Sequence, residues 1–313
     1  MMDYPNSKTS HIDLSIITVT YQSKEHIDSC ILSVVTHILN CSYEHIIVDN
    51  GSVDGTVEII ENGYLNYVRL IKNSTNMGFP TANNRAFKEA KGRFILFLNP
   101  DMQLHEGWLD DLIAWMDKKN DVGIASCKLL SHLKVPHPSL RPSKFPFLFP
   151  YVLSFLKFRP FFCYVNSKFF YSNFDDTLEQ EVQIIRGSFI LMKRETIEKI
   201  GFAFDPKYFI LFEDLDLCRE VQNLGLKVMY CPFVSCIDYF GKSFSQQTKP
   251  WKYLQMQKSF KTYIRKWHSP LHLLWIHIVV PIGFLLRIRD WGARSSWEAL
   301  ISMEPFSRKR VKS

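Results

Sequence analysis

Apolar and polar positions follow two alternating patterns along the first ~120 residues of the chain. Residues 14–20, 45–49 and 94–99 are largely apolar runs that lack the strict polar alternation of a half-exposed strand. Such runs are typical of strands buried on both faces of a parallel sheet. The segments between them place apolar side chains at helical spacing, around Ile31, Val57 and Ala86. This regular alternation of strand and helix predicts a βαβ-type α/β sheet.

Polar residues collect where each predicted strand ends. They occupy residues 18–23 at the end of the first run, 49–56 after the second and 99–101 after the third. Ligands of open α/β sheets bind at the carboxyl ends of the strands. The sequence therefore predicts a ligand site at this edge of the sheet.

The middle of the chain differs from the first part in composition. Residues 136–174 are rich in Phe and Pro, and the six prolines from Pro136 to Pro160 exclude one continuous helix. We interpret this stretch as an excursion ordered against a membrane or an acceptor, and a hydrophobic insert packed on the domain is the alternative. Ordered structure is predicted to resume at 182–193 and 202–213. A helix is predicted at 214–224, with Gly225 as its terminator, and a further strand at 228–230.

An apolar block occupies residues 271–286, but it is shorter than the ~20 residues that a membrane-spanning helix needs. From Gly241 onward the chain has fourteen Lys or Arg against three acids, a charge of +11, whereas the whole chain has +7. A helix lying in the membrane interface, anchored by Trp and Arg residues, is predicted. A C-terminal helix buried against the domain is the alternative.

Cysteine usage and the N-terminus favour a cytoplasmic protein. The seven cysteines are scattered and form no C-x-x-C pair, so neither a disulfide framework nor a zinc site is indicated. Residues 1–11 are polar and lack the apolar core of a signal peptide. With the basic tail, these features predict a cytoplasmic protein, peripheral on the inner face of the cell membrane. No pattern specifies an oligomeric state.

Three acidic motifs are candidates for chemistry, and each also has a purely structural interpretation. Asp49 follows a strand and could accept a hydrogen bond from a nucleotide, although Asp-Asn-Gly-Ser is also an ordinary turn. Asp101 follows the run at 94–99 and could coordinate Mg²⁺ or Mn²⁺ on a diphosphate. Glu213, Asp214 and Asp216 cluster beside an apolar run, which fits either a nearby cation or helix capping.

Taken in order, six segments resemble the inverting glycosyltransferase family 2, and most closely its rhamnosyltransferase-like bacterial branch. They are TVTYQS at 18–23, IIVDNGSVDGT at 46–56, NMGFPTANN at 76–84, LNPDM at 98–102, RGSFILMKRE at 186–195 and FDPKYFILFEDLDLCRE at 204–220. The resemblance implies a GT-A fold, which is a Rossmann-like, mostly parallel sheet flanked by helices, over residues 14–245. Residues 1–13 would be a tail, and 246–313 would form a membrane-associating extension.

The resemblance also implies a set of site residues. Asp101 would hold Mg²⁺ or Mn²⁺ as the remaining acid of a D-x-D motif whose first position is Asn99 here. Asp214, the second acid of the Glu213–Asp214 pair, would be the catalytic base that deprotonates the acceptor hydroxyl. The nucleotide sugar would be bound by Thr20, Tyr21, Asp49, Asn50, Asp54, Asn76, Gly78, Asn83, Asn99 and Gly187.

One motif departs from the family pattern. Relatives often carry H-x-x-G-x-S beyond the base, where the His completes the metal site, but this chain has Asp238 at the His position. Asp is an oxygen ligand suited to Mg²⁺ or Mn²⁺, so a metal site is still expected. Lys242 and Ser243 in this motif could contact the donor phosphates or belong to an ordinary loop. An active enzyme is favoured because Asp101 and the Glu213–Asp214 pair are retained.

We therefore expect an inverting transferase that moves a hexose or deoxyhexose, such as L-rhamnose from dTDP-rhamnose, in O-antigen or other cell-surface polysaccharide synthesis. The expected partners are a nucleotide-sugar donor, a lipid-linked saccharide acceptor and the cytoplasmic membrane surface, not nucleic acid. Two alternatives remain. One is a catalytically weak paralogue that binds a sugar nucleotide or scaffolds a polysaccharide assembly complex. The other is a nucleic-acid-binding protein that uses the basic tail, although no common nucleic-acid-binding module is recognisable.

Overall fold

The computed structural model describes residues 12–145, 171, 173–239 and 247–291. The chain forms two compact units. The first comprises residues 1–146 and 167–243, and the second comprises 147–166 and 244–313. The acidic motifs all belong to the first unit.

The first unit contains nine strands and six helices within the described residues. The strands are β1 (Leu14–Thr20), β2 (Tyr43–Asp49), β3 (Arg69–Lys72), β4 (Phe94–Leu98), β5 (Met102–Glu106), β6 (Val122–Leu130), β7 (Gln180–Glu181), β8 (Phe189–Lys193) and β9 (Lys227–Asp238). The helices are α1 (Ile27–Thr36), α2 (Thr56–Gly63), α3 (Phe79–Glu89), α4 (Leu109–Asp117), α5 (Arg194–Ile200) and α6 (Glu213–Asn223).

All nine strands form one mixed sheet in the order β3-β2-β1-β4-β8-β6-β9-β5, with β7 paired to β9. The pairs β1·β2, β1·β4, β2·β3 and β6·β9 are parallel. Strand β8 runs antiparallel to both β4 and β6, and β5 and β7 run antiparallel to β9. The carboxyl ends of β1, β2, β4, β6 and β9 therefore lie at one edge. This arrangement confirms the predicted α/β sheet with flanking helices.

The central strands are buried on both faces, as their unbroken apolar runs predict. In β4, Ile95 and Phe97 belong to one core cluster together with Ala82 of α3. Leu96 belongs to the cluster on the other face, together with Leu112 of α4. Successive strand residues face opposite sides of a sheet, so one continuous apolar run supplies both layers.

The predicted elements are confirmed with small shifts in their bounds. Strand β2 begins at Tyr43 rather than His45, β4 ends at Leu98 rather than Asn99, and the helix predicted at 214–224 is α6. The strand predicted at 228–230 is part of the longer β9. A shift in the β6·β9 register falls at β9 residues 231–235, beside Pro232, whose missing N–H cannot join a ladder.

Only the two ends of the Phe/Pro-rich stretch are described. A short 3₁₀ helix spans Pro138–Leu140, and Ser143 forms an isolated antiparallel bridge with Ile184. The part of this stretch at 146–170 lies outside the described residues, so both interpretations of it stay predictions.

The described part of the second unit is a pair of helices, α7 (Lys249–Trp267) and α8 (Pro270–Trp291). The rings of Tyr253 and Phe284 lie 6.2 Å apart between the two helices. Helix α8 contains Pro281 and extends beyond the predicted apolar block at both ends. Within the described residues, no helix combines the length and the apolar character needed to cross a membrane.

Candidate functional site

The site begins at the carboxyl ends of β1 and β2, where Thr20 and Asp49 are register partners. The hydroxyl of Thr20 donates to Oδ1 of Asp49 at 2.9 Å. The backbone N–H groups of Gly51 and Ser52 donate to Oδ2 of the same carboxylate at 3.1 and 2.9 Å. Asp49 thus fixes the turn after β2, and its predicted contact with a nucleotide stays a prediction.

The loops after β1 and β2 are joined by crossing hydrogen bonds. The N–H of Gln22 donates to the Ser52 hydroxyl at 2.9 Å, and the N–H of Lys24 donates to Oδ2 of Asp54 at 3.0 Å. Although partial burial favours the neutral form, bonds from Thr56 and Lys24 lower the pKa of Asp54. Tyr21, at the start of this loop, is partly exposed. The two loops form one rigid wall at the strand ends.

Asn50 is the centre of a second network. Its Nδ2 donates to Oδ1 of Asn76 at 2.9 Å and to the carbonyl of Gly78 at 3.3 Å. Its Oδ1 accepts from Nδ2 of Asn73 at 2.9 Å and from the N–H of Met77 at 3.1 Å. The network brings the predicted residues Asn50, Asn76 and Gly78 together at the start of α3.

Neighbouring asparagines on α3 have different partners. Asn83 is buried, and its Nδ2 donates to the carbonyl of Phe79 within the same helix. Asn84 instead bonds across the structure to the backbone of Ala203 and Phe204. The predicted donor contact of Asn83 stays a prediction.

Asp101 and Asp238 lie on neighbouring chain segments. Met102 and Asp238 are register partners of β5 and β9, and the N–H of Tyr239 donates to the carbonyl of Asp101 at 3.2 Å. Burial and the charge of Asp101 raise the pKa of the Cys30 thiol, which keeps that thiol neutral. Strand pairing therefore places the backbones of the two predicted metal-ligating residues at neighbouring positions.

Hydrogen bonds from backbone N–H groups link the end of β4, next to Asp101, to the candidate base Asp214. The N–H of Asn99 donates to the carbonyl of Ser188 at 3.0 Å. The N–H of the preceding residue, Gly187, donates to Oδ2 of Asp214 at 3.1 Å. Oδ1 of Asp214 accepts from the N–H of Leu215 at 2.9 Å. The carboxylate is therefore held in a defined orientation beside Asn99 and Ser188.

The two adjacent acids at the start of α6 differ in electrostatics. Burial and the neighbouring Asp214 charge raise the pKa of Glu213 to about 8. Burial also raises the pKa of Asp214, but hydrogen bonds from Leu215 and Gly187 and the charge of Arg186 oppose that rise. At neutral pH the two adjacent carboxyls are therefore expected to share one proton and to carry one negative charge between them.

The backbone leading to this pair is strained. Leu211 and Phe212 both have a φ of +69°, in the left-handed region that favours glycine. Each such residue costs about 1–2 kcal/mol, and strain of this kind persists where the surrounding structure fixes it. Strained residues cluster at active sites, so the segment that enters Glu213 is a candidate functional segment.

Within the described part of the chain, three buried polar atoms near Asp214 lack a hydrogen-bond partner: Oδ1 of Asn99, Oγ of Ser188 and Oε2 of Glu213. A buried polar atom without a partner costs about 1–3 kcal/mol, so such atoms call for an explanation such as a ligand. A group bearing hydroxyls suits them, because a hydroxyl both donates and accepts. A phosphate suits them less, because the Asp214 charge would repel it.

The acids fit a divalent cation only with help from a ligand. Among the described residues, no three His, Cys, Asp or Glu side chains are grouped to hold a metal ion. Asp101 and Asp238 are hard oxygen ligands, and Mg²⁺ is commonly held by one or two carboxylates plus substrate phosphates. The donor set therefore fits a cation whose coordination a diphosphate completes.

Some site residues were predicted and others were not. Lys242 and Ser243 lie outside the described residues. Asn73 lies outside the quoted motifs, whereas Ser188 and Asn84 stood inside quoted motifs without an assigned role. Arg85, which donates to Oδ1 of Asn73, and Arg186 were also missed, because their partners are distant in sequence.

Comparisons with known proteins agree with this architecture. A chain segment of 248 residues is 26% identical to an N-acetylglucosaminyl-diphospho-decaprenol L-rhamnosyltransferase of Mycobacterium tuberculosis and covers 74% of this chain and 77% of that one. Rhamnosyltransferase WbbL of Escherichia coli is 28% identical over 60% of this chain and 71% of its own length. An uncharacterized protein y4gI of Sinorhizobium fredii is 20% identical over 81% of this chain, which spans 28% of that larger protein.

A solved structure shares the fold. The mannosyltransferase PcManGT from Pyrobaculum calidifontis, in complex with GDP-Man and Mn²⁺, superposes with a TM-score of 0.52 at 17% identity and covers 95% of this chain and 82% of that one. At this identity the likeness shows a shared GT-A fold. The sequence profile of glycosyl transferase family 2 matches residues 15–201. Because that match covers more than half of the chain, the protein belongs to glycosyltransferase family 2 and is a glycosyltransferase.

Proposed function

We propose that the protein is an inverting transferase that moves L-rhamnose from dTDP-rhamnose to a lipid-linked saccharide at the cytoplasmic face of the membrane. It would act in the synthesis of O-antigen or another bacterial cell-surface polysaccharide. One observation carries the chemistry: the Asp214 carboxylate is held by the N–H groups of Gly187 and Leu215 beside partnerless buried polar atoms. A carboxylate with a fixed orientation, next to buried polar atoms that could bind a hydroxyl-bearing substrate, is suited to accept a proton from a bound hydroxyl.

The reaction is a single displacement. An oxygen of Asp214 accepts the proton of the acceptor hydroxyl while that hydroxyl oxygen forms a bond to the anomeric carbon. The bond from the anomeric carbon to the phosphate oxygen breaks, and the nucleoside diphosphate leaves with the electron pair. Because attack and departure occur on opposite faces, the anomeric configuration inverts. Because the Glu213–Asp214 pair is expected to keep one proton near pH 7, it carries a single negative charge for this role.

Asp101 and Asp238 would hold Mg²⁺ or Mn²⁺ together with the donor phosphates. Such a cation neutralises charge that develops on the departing diphosphate. The two acids are suited to this because β5 and β9 bring them to neighbouring segments. The wall formed by the β1 and β2 loops lies at the strand ends, where a nucleotide would bind.

The choice of sugar and acceptor is supported by the relatives. One is named for transfer of L-rhamnose to N-acetylglucosaminyl-diphospho-decaprenol, and another is named a rhamnosyltransferase. The partnerless atoms of Asn99, Ser188 and Glu213 suit a hydroxyl-bearing ring of this kind. These features favour a deoxyhexose donor and a lipid-linked acceptor as the first pair to test.

The second unit supports a location on the membrane surface. Helix α7 carries six Lys or Arg and no acid. Helix α8 bears an apolar stripe whose members are each at least 45% exposed: Leu271, Leu274, Ile278, Ile282 and Leu285. Their spacing of three and four residues places them on one helix face. An exposed apolar stripe beside basic residues suits the interface of an anionic bilayer.

The central experiment combines purified protein, Mg²⁺ or Mn²⁺, a panel of labelled nucleotide sugars and lipid-linked saccharide acceptors. Transfer is expected with dTDP-rhamnose, and the Asp214→Asn variant should lose about 10²- to 10⁴-fold in rate while it still binds nucleoside diphosphate. Asp121→Asn is the control, because it removes an exposed carboxylate paired with Lys227. Full activity in Asp214→Asn would refute the assignment of the base. Binding of a nucleotide sugar without turnover would instead identify a catalytically weak paralogue.

The membrane location is tested by sedimentation with vesicles that do or do not contain anionic lipid. Binding to anionic vesicles is expected, with weaker binding of Ile278→Glu. Leu65→Glu, which changes an exposed leucine of the first unit, should bind as the wild type does. Equal sedimentation of both variants, or preference for oligonucleotide beads over vesicles, would contradict the proposed location.

A further inference from the structure

Asn84 ties α3 to a segment that follows it by about 120 residues in sequence. Its Oδ1 accepts from the N–H of Ala203 at 2.8 Å and from the N–H of Phe204 at 3.1 Å. Its Nδ2 donates to the carbonyl of Phe204 at 2.6 Å. One amide side chain thus bonds both the N–H and the carbonyl of Phe204. It can do so because an amide has both a donor and an acceptor.

The segment at 203–212, which we call the entry segment, is attached to the helices by at least two further hydrogen bonds. The N–H of Phe79, at the start of α3, donates to the carbonyl of Phe209 at 2.8 Å. The hydroxyl of Tyr208 donates to the buried carboxylate of Asp216 in α6 at 3.1 Å. Helix α3 therefore holds the entry segment at its start and at Phe209, and the adjacent Tyr208 joins it to α6.

The entry segment leads directly into the candidate base. Its last two residues, Leu211 and Phe212, are both left-handed, and Glu213 and Asp214 follow. A non-glycine residue in this conformation relaxes unless the surrounding structure prevents it. Apart from Tyr208, these attachments connect the segment to α3, which begins next to the Asn50–Asn76 network.

We propose that Asn84 is a positioning residue for the reaction: by fixing the entry segment, it sets where Asp214 lies relative to the substrate. The proposal rests on the proposed role of Asp214 as the base. Asn84 touches neither the reacting atoms nor the Asp214 carboxylate, and it acts through the backbone of Ala203 and Phe204. Loss of its three hydrogen bonds should displace Asp214 while the fold around α3 is kept.

The test compares Asn84→Ala, which loses all three bonds, with Asn84→Asp, which keeps the two accepting bonds. Asn62→Ala, at an exposed position of α2, is the matched control. Steady-state transfer rates and nucleoside diphosphate binding by calorimetry are measured for each variant. Hydrogen exchange of residues 203–212 is measured alongside.

Asn84→Ala should lose about 10- to 100-fold in kcat with KM for the donor nearly unchanged, because a small misplacement of a catalytic group has effects of that size. Asn84→Asp should lose less, and exchange in the entry segment should increase in the same order. Wild-type kcat in Asn84→Ala would overturn the proposal, and so would a loss confined to nucleotide binding. An inactive wild-type protein would overturn the proposed function itself, an outcome distinct from these.

Discussion

The N–H of Gly187 lies 3.1 Å from Oδ2 of Asp214 and donates a hydrogen bond to it. The approach is close because Gly187 has no Cβ. A Cβ at this position would lie 3.3 Å from Cβ of Asp214 and 3.6 Å from its Oδ2. Gly187 therefore contributes both a donor that orients the carboxylate and the space that the carboxylate occupies.

Gly187→Ala should lower kcat by about 10-fold or more, because the new methyl group pushes the Asp214 side chain by a few tenths of an ångström. The free energy of unfolding should change by less than about 1.5 kcal/mol, since the contact is tight rather than impossible. Gly63→Ala is the control, because nothing lies within 4 Å of a Cβ there. Initial transfer rates and thermal unfolding of both variants check this prediction, and an unchanged kcat in Gly187→Ala would contradict it.

Glu213 makes the stability of the protein depend on pH. Burial and the Asp214 charge raise its pKa from the ordinary value of 4.5 to about 8, so the folded state favours the protonated carboxyl. The stabilisation that this provides is fully present below pH 4.5 and is lost as the pH rises toward 8. Glu213→Gln, which mimics the protonated form, should therefore flatten the fall of Tm between pH 5 and 8.

The measurement is thermal unfolding of wild type and Glu213→Gln at several pH values. Glu58 on α2 is exposed to solvent, so Glu58→Gln should keep the wild-type pH dependence. Parallel Tm curves for wild type and Glu213→Gln would show that Glu213 is ionised in the folded protein near neutral pH. That result would also remove the argument for a single negative charge on the pair.

The local elements of the fold were predictable, but strand direction was not. The residues of β8 form an apolar run much like those of β1 and β4, yet β8 is antiparallel to β4. Strand direction depends on which edge the connecting segments reach, and no residue within the run specifies it. The bounds of a strand were easier to predict than its direction. Strand β1 matched its predicted bounds, because all seven of its residues are buried and form one continuous run.

The same distinction holds for the site. Asp101 and Asp214 stood out because acids that end a strand or begin a helix beside an apolar run are conspicuous. The pairing of Met102 with Asp238, across 136 residues, and the contact of Asn84 with Phe204 depend on tertiary packing. A local pattern names the residue types at a site, whereas the partners of each side chain are set by the packed sheet.

Removal of divalent cations should abolish transfer. Chelation with EDTA is expected to lower the rate at least about 100-fold, and added Mg²⁺ or Mn²⁺ should restore it, because the cation stabilises the leaving diphosphate. Asp101→Asn should raise the metal concentration needed for half-maximal rate, while Asp121→Asn should leave it unchanged. Metal-dependence curves of the three proteins provide the measurement, and full activity after chelation would refute a metal requirement.

Gly78 is the position at which the start of α3 and the entry segment meet most closely. Its backbone has φ +86° and ψ +158°, a region essentially restricted to glycine, and a Cβ there would lie 2.7 Å from the carbonyl oxygen of Phe209. Gly201 also has a positive φ, of +92°, but nothing lies within 4 Å of its Cβ position. The two glycines therefore separate backbone strain from steric overlap.

Gly201→Ala should lower the free energy of unfolding by about 1–2 kcal/mol, which is the cost of an alanine in the left-handed conformation, and Tm should fall by about 2–8 °C. Gly78→Ala should lower the free energy of unfolding by more than about 3 kcal/mol. The added methyl group also overlaps backbone atoms of Phe209, which cannot move aside as easily as the end of a flexible side chain. Thermal unfolding of both variants decides this. Equal losses would show that the backbone at Phe209 moves easily to accommodate a methyl group at Gly78.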